Sequence, residues 1–327
     1  MKRRNFLTWG VTAAAAAYGR RPLFAAENKI QLPSSDTVHV GGSKRIEIGG
    51  GHWVWTKKVG GGDIKVLLLH GGPGADHRYF EGFEDFLPLN GIEFYYYDQL
   101  DSTNSEKPDD PALWTIQRYT EEVEAVRQGL GLDQFYLLGH SWGGLLAIEY
   151  GLKYQQHLKG LVISNMAASA DSFVKYVTQL RSQFPPDVRT QLEFYENADK
   201  TDDPTYQKLL FDRLYKIFIC RLDPWPDPVL RSLGGWNQHV YKVLQGRSEF
   251  EATGRIKGWD RWSDLPKIKV RTLTMGARYD EMDPEDMRRM ATLLPRGEAW
   301  ISETGSHFAM YDDQQNYFKA LLNFLKS

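Results

Sequence analysis

Gln134-Phe135-Tyr136-Leu137-Leu138-Gly139-His140-Ser141-Trp142-Gly143-Gly144-Leu145-Leu146-Ala147-Ile148 is the stretch whose reading decides the fold. A β-rich run, Gln134 to Leu138, leads into Gly139-His140-Ser141-Trp142-Gly143-Gly144, and an apolar helical pattern leaves it. That is the strand–turn–helix setting of a Gly-x-Ser-x-Gly nucleophile elbow. The turn is tight, so Gly139 and Gly143 are expected to take close backbone approach and unusual dihedrals. Its purpose is to hold Ser141 Oγ above a sheet, where a base can reach it. A serine hydroxyl is a weak nucleophile at neutral pH until a histidine accepts its proton.

Upstream of the elbow, residues 37–58 alternate apolar and polar around Gly41-Gly42 and Gly49-Gly50-Gly51, a pattern of antiparallel strands joined by tight turns. Val66-Leu67-Leu68-Leu69 is a short continuous apolar run ending at His70-Gly71-Gly72-Pro73-Gly74, and Ile92 to Tyr97 is another ending at Asp98. Uninterrupted apolar strands imply burial on both faces, hence a parallel sheet covered by helices. The span from Thr115 to Gly129 predicts a helix with Ile116, Tyr119, Val123 and Val126 on one stripe and Glu121, Glu122 and Glu124 facing solvent. Leu158 to Ser164 reads as the next strand. Strands alternating with helices at this spacing give a doubly wound α/β sheet.

Between residues 167 and 266 the β-α rhythm stops. The segment is helical in pattern, interrupted by Pro185-Pro186, Pro204 and Asp223-Pro224-Trp225-Pro226-Asp227-Pro228, and carries Trp225, Trp236, Trp259 and Trp262. It is predicted to form a helical cap inserted over the site, with residues 27–166 and 267–327 making the core domain. The rhythm resumes with a strand over Val270–Met275, a helix over Pro284–Leu294, a strand over Glu298–Ile301 and a last helix from Phe308 to Leu325.

A serine hydrolase on such a sheet carries its partners in the order Ser, acid, His, each at the end of a later strand. The strand Thr272–Met275 runs into Gly276-Ala277-Arg278-Tyr279-Asp280, which makes Asp280 the candidate acid. The strand around Ala299-Trp300-Ile301 leads to Gly305-Ser306-His307, which makes His307 the candidate base. Asp283, just before Pro284, competes for the acid's role and is also placed to cap a helix. His140 is a weaker base, since neighbours along a strand point apart. An oxyanion hole needs two backbone N–H groups. Trp142, following the nucleophile, supplies one, and Gly72 in the glycine-rich loop supplies the other, Pro73 having no N–H.

Taken together, His70-Gly71-Gly72-Pro73-Gly74, Asp98-Gln99, Gly139 to Gly144, Gly276 to Glu281 and Gly305-Ser306-His307 resemble the proline iminopeptidases, serine aminopeptidases of the α/β-hydrolase fold. The resemblance covers essentially everything after residue 26, with the cap matching in patches. It implies a mostly parallel central sheet with helices on both faces and an inserted helical cap. It also implies removal of an N-terminal residue, preferentially proline, through an acyl-enzyme on Ser141, with no cofactor. In the family a pair of glutamates holds the substrate's α-ammonium. The positions that match are Glu281, directly after the candidate acid, and Glu249 in Ser248-Glu249-Phe250. One stretch departs from the family: where Asp-Gln is usually followed by Gly-x-Gly-x-Ser, this chain reads Leu100-Asp101-Ser102-Thr103-Asn104-Ser105, with Asp101 and Thr103 replacing the glycines. An amino-acid amidase, esterase or lactone hydrolase using the same three side chains is the rival activity. A catalytically silent binding protein is disfavoured by the intact Ser141, Asp280 and His307.

The 327 residues are 42% hydrophobic and 13% aromatic, enough for one large α/β domain with an insertion. Lys2-Arg3-Arg4-Asn5-Phe6-Leu7, followed by an apolar run with Ala13 to Ala17, reads as a twin-arginine export signal over residues 1–26, with cleavage near Ala25 or Ala26. The expected location is periplasmic or extracellular, with membrane attachment only through an uncleaved signal. Loss of that segment takes the formal charge from −2 to −7, which gives little reason to bind nucleic acid. Cys220 is the sole cysteine, so no intramolecular disulfide forms. Zinc-ligand spacings are absent, so no metal is expected. The expected partner is a small peptide or aminoacyl amide.

Overall fold

A computed structural model describes residues 38–327; the segment 1–26 read as an export signal lies outside the described residues. Eight strands form one sheet: β1 (Ser43–Gly49), β2 (His52–Val59), β3 (Ile64–Leu69), β4 (Ile92–Asp98), β5 (Phe135–His140), β6 (Leu158–Ser164), β7 (Thr272–Tyr279) and β8 (Gly297–Ser306). Their order across the sheet is β1-β2-β4-β3-β5-β6-β7-β8. The glycine-turned hairpin β1–β2 is antiparallel, as is the β2–β4 pair, and every pair from β4 through β8 is parallel.

The parallel strands are apolar throughout because both faces are covered. Leu67, Tyr95, Tyr97, Phe135 and Leu137 pack into one core, whereas their chain neighbours Val66, Leu68, Phe94, Tyr96, Tyr136 and Leu138 pack into another. That alternation is the period-2 geometry of a strand buried on two sides. The first core is completed by α1 (Ile116–Leu130) and α2 (Trp142–Tyr154), through Tyr119, Val123, Leu145 and Ile148. The second is completed by a 3₁₀ segment, His77–Asp85, and by the C-terminal helix, through Phe80, Phe83, Phe318 and Leu321. Helices therefore lie on both faces, as expected for an α/β hydrolase.

Glu121, Glu122 and Glu124 do not all face solvent as expected. Glu122 and Glu124 are buried. Glu122 accepts from the Tyr97 hydroxyl, the Leu100 N–H and Arg118. Glu124 accepts from Arg127, Gln128 and Tyr150. Full hydrogen bonding is what makes a buried carboxylate tolerable. β8 also runs longer than expected, because after a bulge Tyr279 pairs with Ser306. The last helix is broken into α9 (Ala309–Asp312) and α10 (Gln314–Lys326). Asp313 at the break has non-helical dihedrals and accepts from Ser302 Oγ and Asn316 Nδ2.

Residues 167–266 hold α3 (Ala170–Ser182), α4 (Pro186–Asn197), α5 (Pro204–Leu210), a π-helix (Phe211–Ile219), α6 (Asp227–Gly234) and α7 (Gln238–Leu244). The prolines sit where they disturb least, at the first positions of α4, α5 and α6. The chain then re-enters the sheet at β7, followed by α8 (Pro284–Leu293). This helical segment is fastened to the ends of the strands. Trp236 Nε1 donates to Pro73 O at 2.7 Å, Asn237 N to Gly74 O at 2.9 Å, and His307 N to Phe218 O at 2.9 Å.

Candidate active site

Ser141 stands between β5 and α2 with φ 56° and ψ −128°, a strained conformation for a residue with a side chain. The unusual dihedral belongs to Ser141 itself; Gly139 and Gly143 have no positive φ. The glycines answer to space instead. A Cβ on Gly139 would lie 2.0 Å from Gly143 O, and one on Gly143 would lie 2.1 Å from Leu69 O. α2 can pass this close over β3 and β5 only where both residues lack side chains.

Asp280 and His307 leave the ends of the adjacent strands β7 and β8. His307 Nδ1 lies 2.8 Å from Asp280 Oδ1, and both side chains are buried. Asp280 also accepts from Asn165 Nδ2 at 2.6 Å and from the Met282 N–H at 3.1 Å. A carboxylate in this position fixes Nδ1 as the protonated nitrogen and leaves Nε2 facing the cavity. Burial alone would lower the His307 pKa; the charges of Asp280, Glu281 and Glu249 outweigh it and push the ring up to about 8. Asp283 does not compete for this place: its carboxylate caps α8 by accepting from Glu285 N.

His140, the weaker base candidate, is buried and fully engaged. Its Nε2 is 2.9 Å from the His307 carbonyl and its Nδ1 is 3.2 Å from the Tyr79 hydroxyl. Burial, and next the nearby His307, hold its pKa well below the usual value, so it stays neutral.

On the oxyanion side, Gly72 has φ +116° and a Cβ there would meet Ala75 N at 2.6 Å, so only glycine fits. Neither the Gly72 N–H nor the Trp142 N–H has an acceptor among the described residues. The neighbouring Gly71 N–H is occupied, donating to the Tyr79 hydroxyl at 2.5 Å. Trp142 is set by its indole, which donates to Gln99 Oε1 at 2.8 Å, while Gln99 Nε2 donates to His70 O. Gln99 thus joins the glycine-rich loop to the elbow. Asp98 instead accepts from the His77 N–H and the Asn104 N–H, tying the 3₁₀ segment to the residues that follow β4.

Glu249 and Glu281 reach the same cleft, of about 510 Å³ with its open mouth, which is also lined by Ser141, His307, Tyr215 and Trp236. Glu249 is partly buried in the wall contributed by residues 167–266, where Tyr215 donates to its Oε1 at 3.0 Å. Glu281 is buried, and its Oε2 has no hydrogen-bond partner among the described residues. Burial raises the pKa of both carboxyls, that of Glu281 to about 8. Among the described residues, no lysine or arginine lines the cleft to neutralise them. A second cavity bordering Ser141 is lined by Leu145, Met166, Phe173, Ile256 and Met282, and again by Glu249 and Glu281. The arrangement offers a candidate nucleophile, a candidate base, two free N–H groups and a pair of carboxyl groups with no lysine or arginine beside them among the described residues.

Several participants escape sequence reading. Tyr79 and Tyr215 belong to no motif and meet their partners across 61 and 34 residues of chain. Asn165 carried one available signal, its position at the end of β6, the same kind of place that yields Asp280 and His307. The family's missing glycines have defined structural substitutes. Asp101, with φ 66°, accepts from the Trp114 indole at 2.7 Å, and Thr103 donates to buried Asp76 at 2.5 Å. Among the described residues, no cluster of three His, Cys, Asp or Glu is arranged to hold a metal, and no helix is long and apolar enough to cross a membrane.

The family model for the alpha/beta hydrolase fold matches residues 65–314. The chain is 46% identical to the proline iminopeptidase of Elizabethkingia meningoseptica over 278 residues, 84% of this chain and 93% of that one. It is 44% identical to the proline iminopeptidase of Flavobacterium johnsoniae, over 83% of this chain and 93% of that one. Among solved structures, proline iminopeptidase from Mycobacterium smegmatis superimposes with a TM-score of 0.79 at 26% identity, covering 87% of this chain and 97% of its own.

Proposed function

The chain belongs to the proline iminopeptidase family of α/β hydrolases, and from that premise we propose that it is a serine aminopeptidase releasing N-terminal proline from small peptides and aminoacyl amides. The substrate's ammonium enters between Glu249 and Glu281, because a buried cation needs nearby carboxylates to offset its lost hydration. Its first side chain fills the second cavity beside Ser141. That fixes the first carbonyl over Ser141 and places later peptide bonds out of reach, which makes the action exopeptidic.

Ser141 Oγ attacks that carbonyl while His307 Nε2 takes its proton, and Asp280 stabilises the imidazolium that forms. The negative oxygen of the tetrahedral intermediate is received by the N–H groups of Gly72 and Trp142. Collapse breaks the C–N bond, His307 returns the proton to the leaving amine, and the prolyl group stays as an ester on Ser141. Water then attacks the ester with His307 again as base, releasing proline and the free serine.

The observation that carries this function is the meeting of Glu249 and Glu281 with Ser141 and His307 in one cleft that no lysine or arginine lines among the described residues. The test is kcat/KM for a prolyl arylamide beside its N-acetylated counterpart. Removing the charge from the buried pairing is expected to cost at least about 3 kcal/mol, roughly a hundredfold. Equal rates, or faster turnover of simple esters and lactones, would favour an esterase-type activity instead. We also propose export by the twin-arginine route, on the strength of Lys2-Arg3-Arg4 and Ala13 to Ala17; fractionation of cells expressing the full chain tests it.

A further inference from the structure

His307 has two carboxylate neighbours, one on each ring nitrogen. Nδ1 is held by Asp280 at 2.8 Å, and Nε2, the atom that must face Ser141, lies 3.9 Å from Glu281 Oε1. Ser141 Oγ makes no hydrogen bond to a described residue. Glu281 Oε2 is buried without a partner. Every other titratable group packed around the ring is either neutral or spoken for. Tyr79 of the 3₁₀ segment and Tyr215 of the π-helix have pKa values raised by burial, and His140 of β5 is neutral. Tyr176 of α3, whose pKa burial likewise raises, stands on the Asp280 side. Asp312 of α9 accepts from Ser306 and the Arg221 N–H. Glu249, from the 167–266 segment, is the more distant third carboxylate, bound by Tyr215.

A buried carboxyl and an imidazole this close titrate as a unit rather than as separate groups. We infer that Glu281 and His307 share one proton before substrate arrives, and that the substrate's ammonium displaces it to solvent, so that the charge recognised at Glu281 also converts His307 into a base. The inference rests on the amine-binding role proposed above. The proton balance is simple. The ammonium cation replaces a proton as the countercharge of Glu281, and the imidazole is left neutral at Nε2, free to take the Ser141 proton. Recognition and activation are then one event. A ligand lacking the amine leaves the pair protonated and the base disarmed at neutral pH.

The direction of the shifts agrees: burial raises Glu281, while Asp280 and Glu281 raise His307 against its own burial. The primary experiment is titration calorimetry of prolinamide into the Ser141→Ala protein at pH 6.5, in buffers of different ionisation enthalpy. Linkage predicts release of about one proton per ligand bound. Binding with no proton release overturns the inference and leaves amine recognition standing. Failure of prolinamide to bind removes the amine-binding role itself.

The second measurement is the pH profile of aryl acetate hydrolysis, a substrate without an amine. In the wild-type protein the rate should rise through about pH 8. Glu281→Gln should move that limb to lower pH by about one unit, which raises the rate near pH 6.5 about tenfold relative to its own plateau. The same substitution should abolish the advantage of free over acetylated prolyl arylamide. Glu249→Gln should weaken prolyl substrates while moving the ester limb less. An unmoved limb in Glu281→Gln, with prolyl turnover lost, contradicts the shared proton.

Discussion

His140 Nε2 lies 2.9 Å from the carbonyl oxygen of His307, and that single contact fixes the protonation of a buried chain of groups. A carbonyl only accepts, so Nε2 carries the hydrogen and Nδ1 is the acceptor. The Tyr79 hydroxyl must therefore donate to Nδ1 at 3.2 Å, and its oxygen accepts the Gly71 N–H at 2.5 Å. The chain links the glycine-rich loop, which carries the Gly72 N–H, to the backbone of the proposed base. Tyr79 acts here as a positioning residue.

Tyr79→Phe is accordingly expected to leave the Gly71 N–H and His140 Nδ1 unpaired in a buried site. The cost in stability should be about 1–3 kcal/mol, readable from urea unfolding. Activity on prolyl arylamide should fall through kcat more than through KM, since neither Glu249 nor Glu281 is touched. A purely structural role would predict lost stability with kcat preserved.

Tyr215 reaches Glu249 from the π-helix, and its hydrogen bond favours the ionised carboxylate against the burial that raises its pKa. Tyr215→Phe should let that pKa rise further. A hydrogen bond to a charged group contributes about 1.5 kcal/mol or more, so KM for prolyl arylamide should rise roughly tenfold at neutral pH. The defect should deepen as pH falls, because more of the variant's Glu249 is protonated there. Steady-state kinetics from pH 6 to 9 would check it, and a pH-independent loss would speak against the assignment.

Thr103 stands where the family has glycine, and it does structural duty. Burial would raise the pKa of Asp76, but hydrogen bonds from Arg78 and Thr103 overcome this and hold it below the ordinary value. A carboxylate depressed in the folded state contributes stability above its unfolded pKa, and that stability is lost as pH falls through the folded value. Thr103→Gly removes one donor and adds backbone freedom, for a loss of about 1 kcal/mol or more at neutral pH. On acid titration the variant should unfold at a higher pH than the parent. Unchanged acid unfolding would show that Arg78 alone sets the behaviour of Asp76.

How much of this was readable in the chain depends on whether the cause is local. Ser141, Asp280 and His307 each follow an apolar run at a strand end, so short motifs locate them, and the parallel strands announce themselves by continuous apolarity. Glu122 and Glu124 were misplaced for the opposite reason. Helical periodicity treats a glutamate as solvent-facing, and their burial is set by Tyr97 and Tyr150, which lie 25 and 26 residues away. The strain at Ser141 was assigned to its glycine neighbours, because glycine advertises conformational freedom. Here the glycines serve close approach, and the turn imposes the dihedral on the serine. Tyr79, Asn165 and Tyr215 act through contacts made only after the sheet and the 167–266 segment have come together. The break at Asp313 depends on Ser302, on the neighbouring strand.

The most direct test of the central claim is intact-mass and peptide mapping of the protein after incubation with a fluorophosphonate probe, run alongside turnover of prolyl arylamide. A single adduct is predicted, on Ser141, blocked by excess prolyl substrate. Ser141→Ala should carry no adduct, stay folded, and lose activity by roughly 10⁴-fold or more. An adduct on another residue, or prolyl turnover surviving in Ser141→Ala, would contradict the assignment of Ser141 as nucleophile.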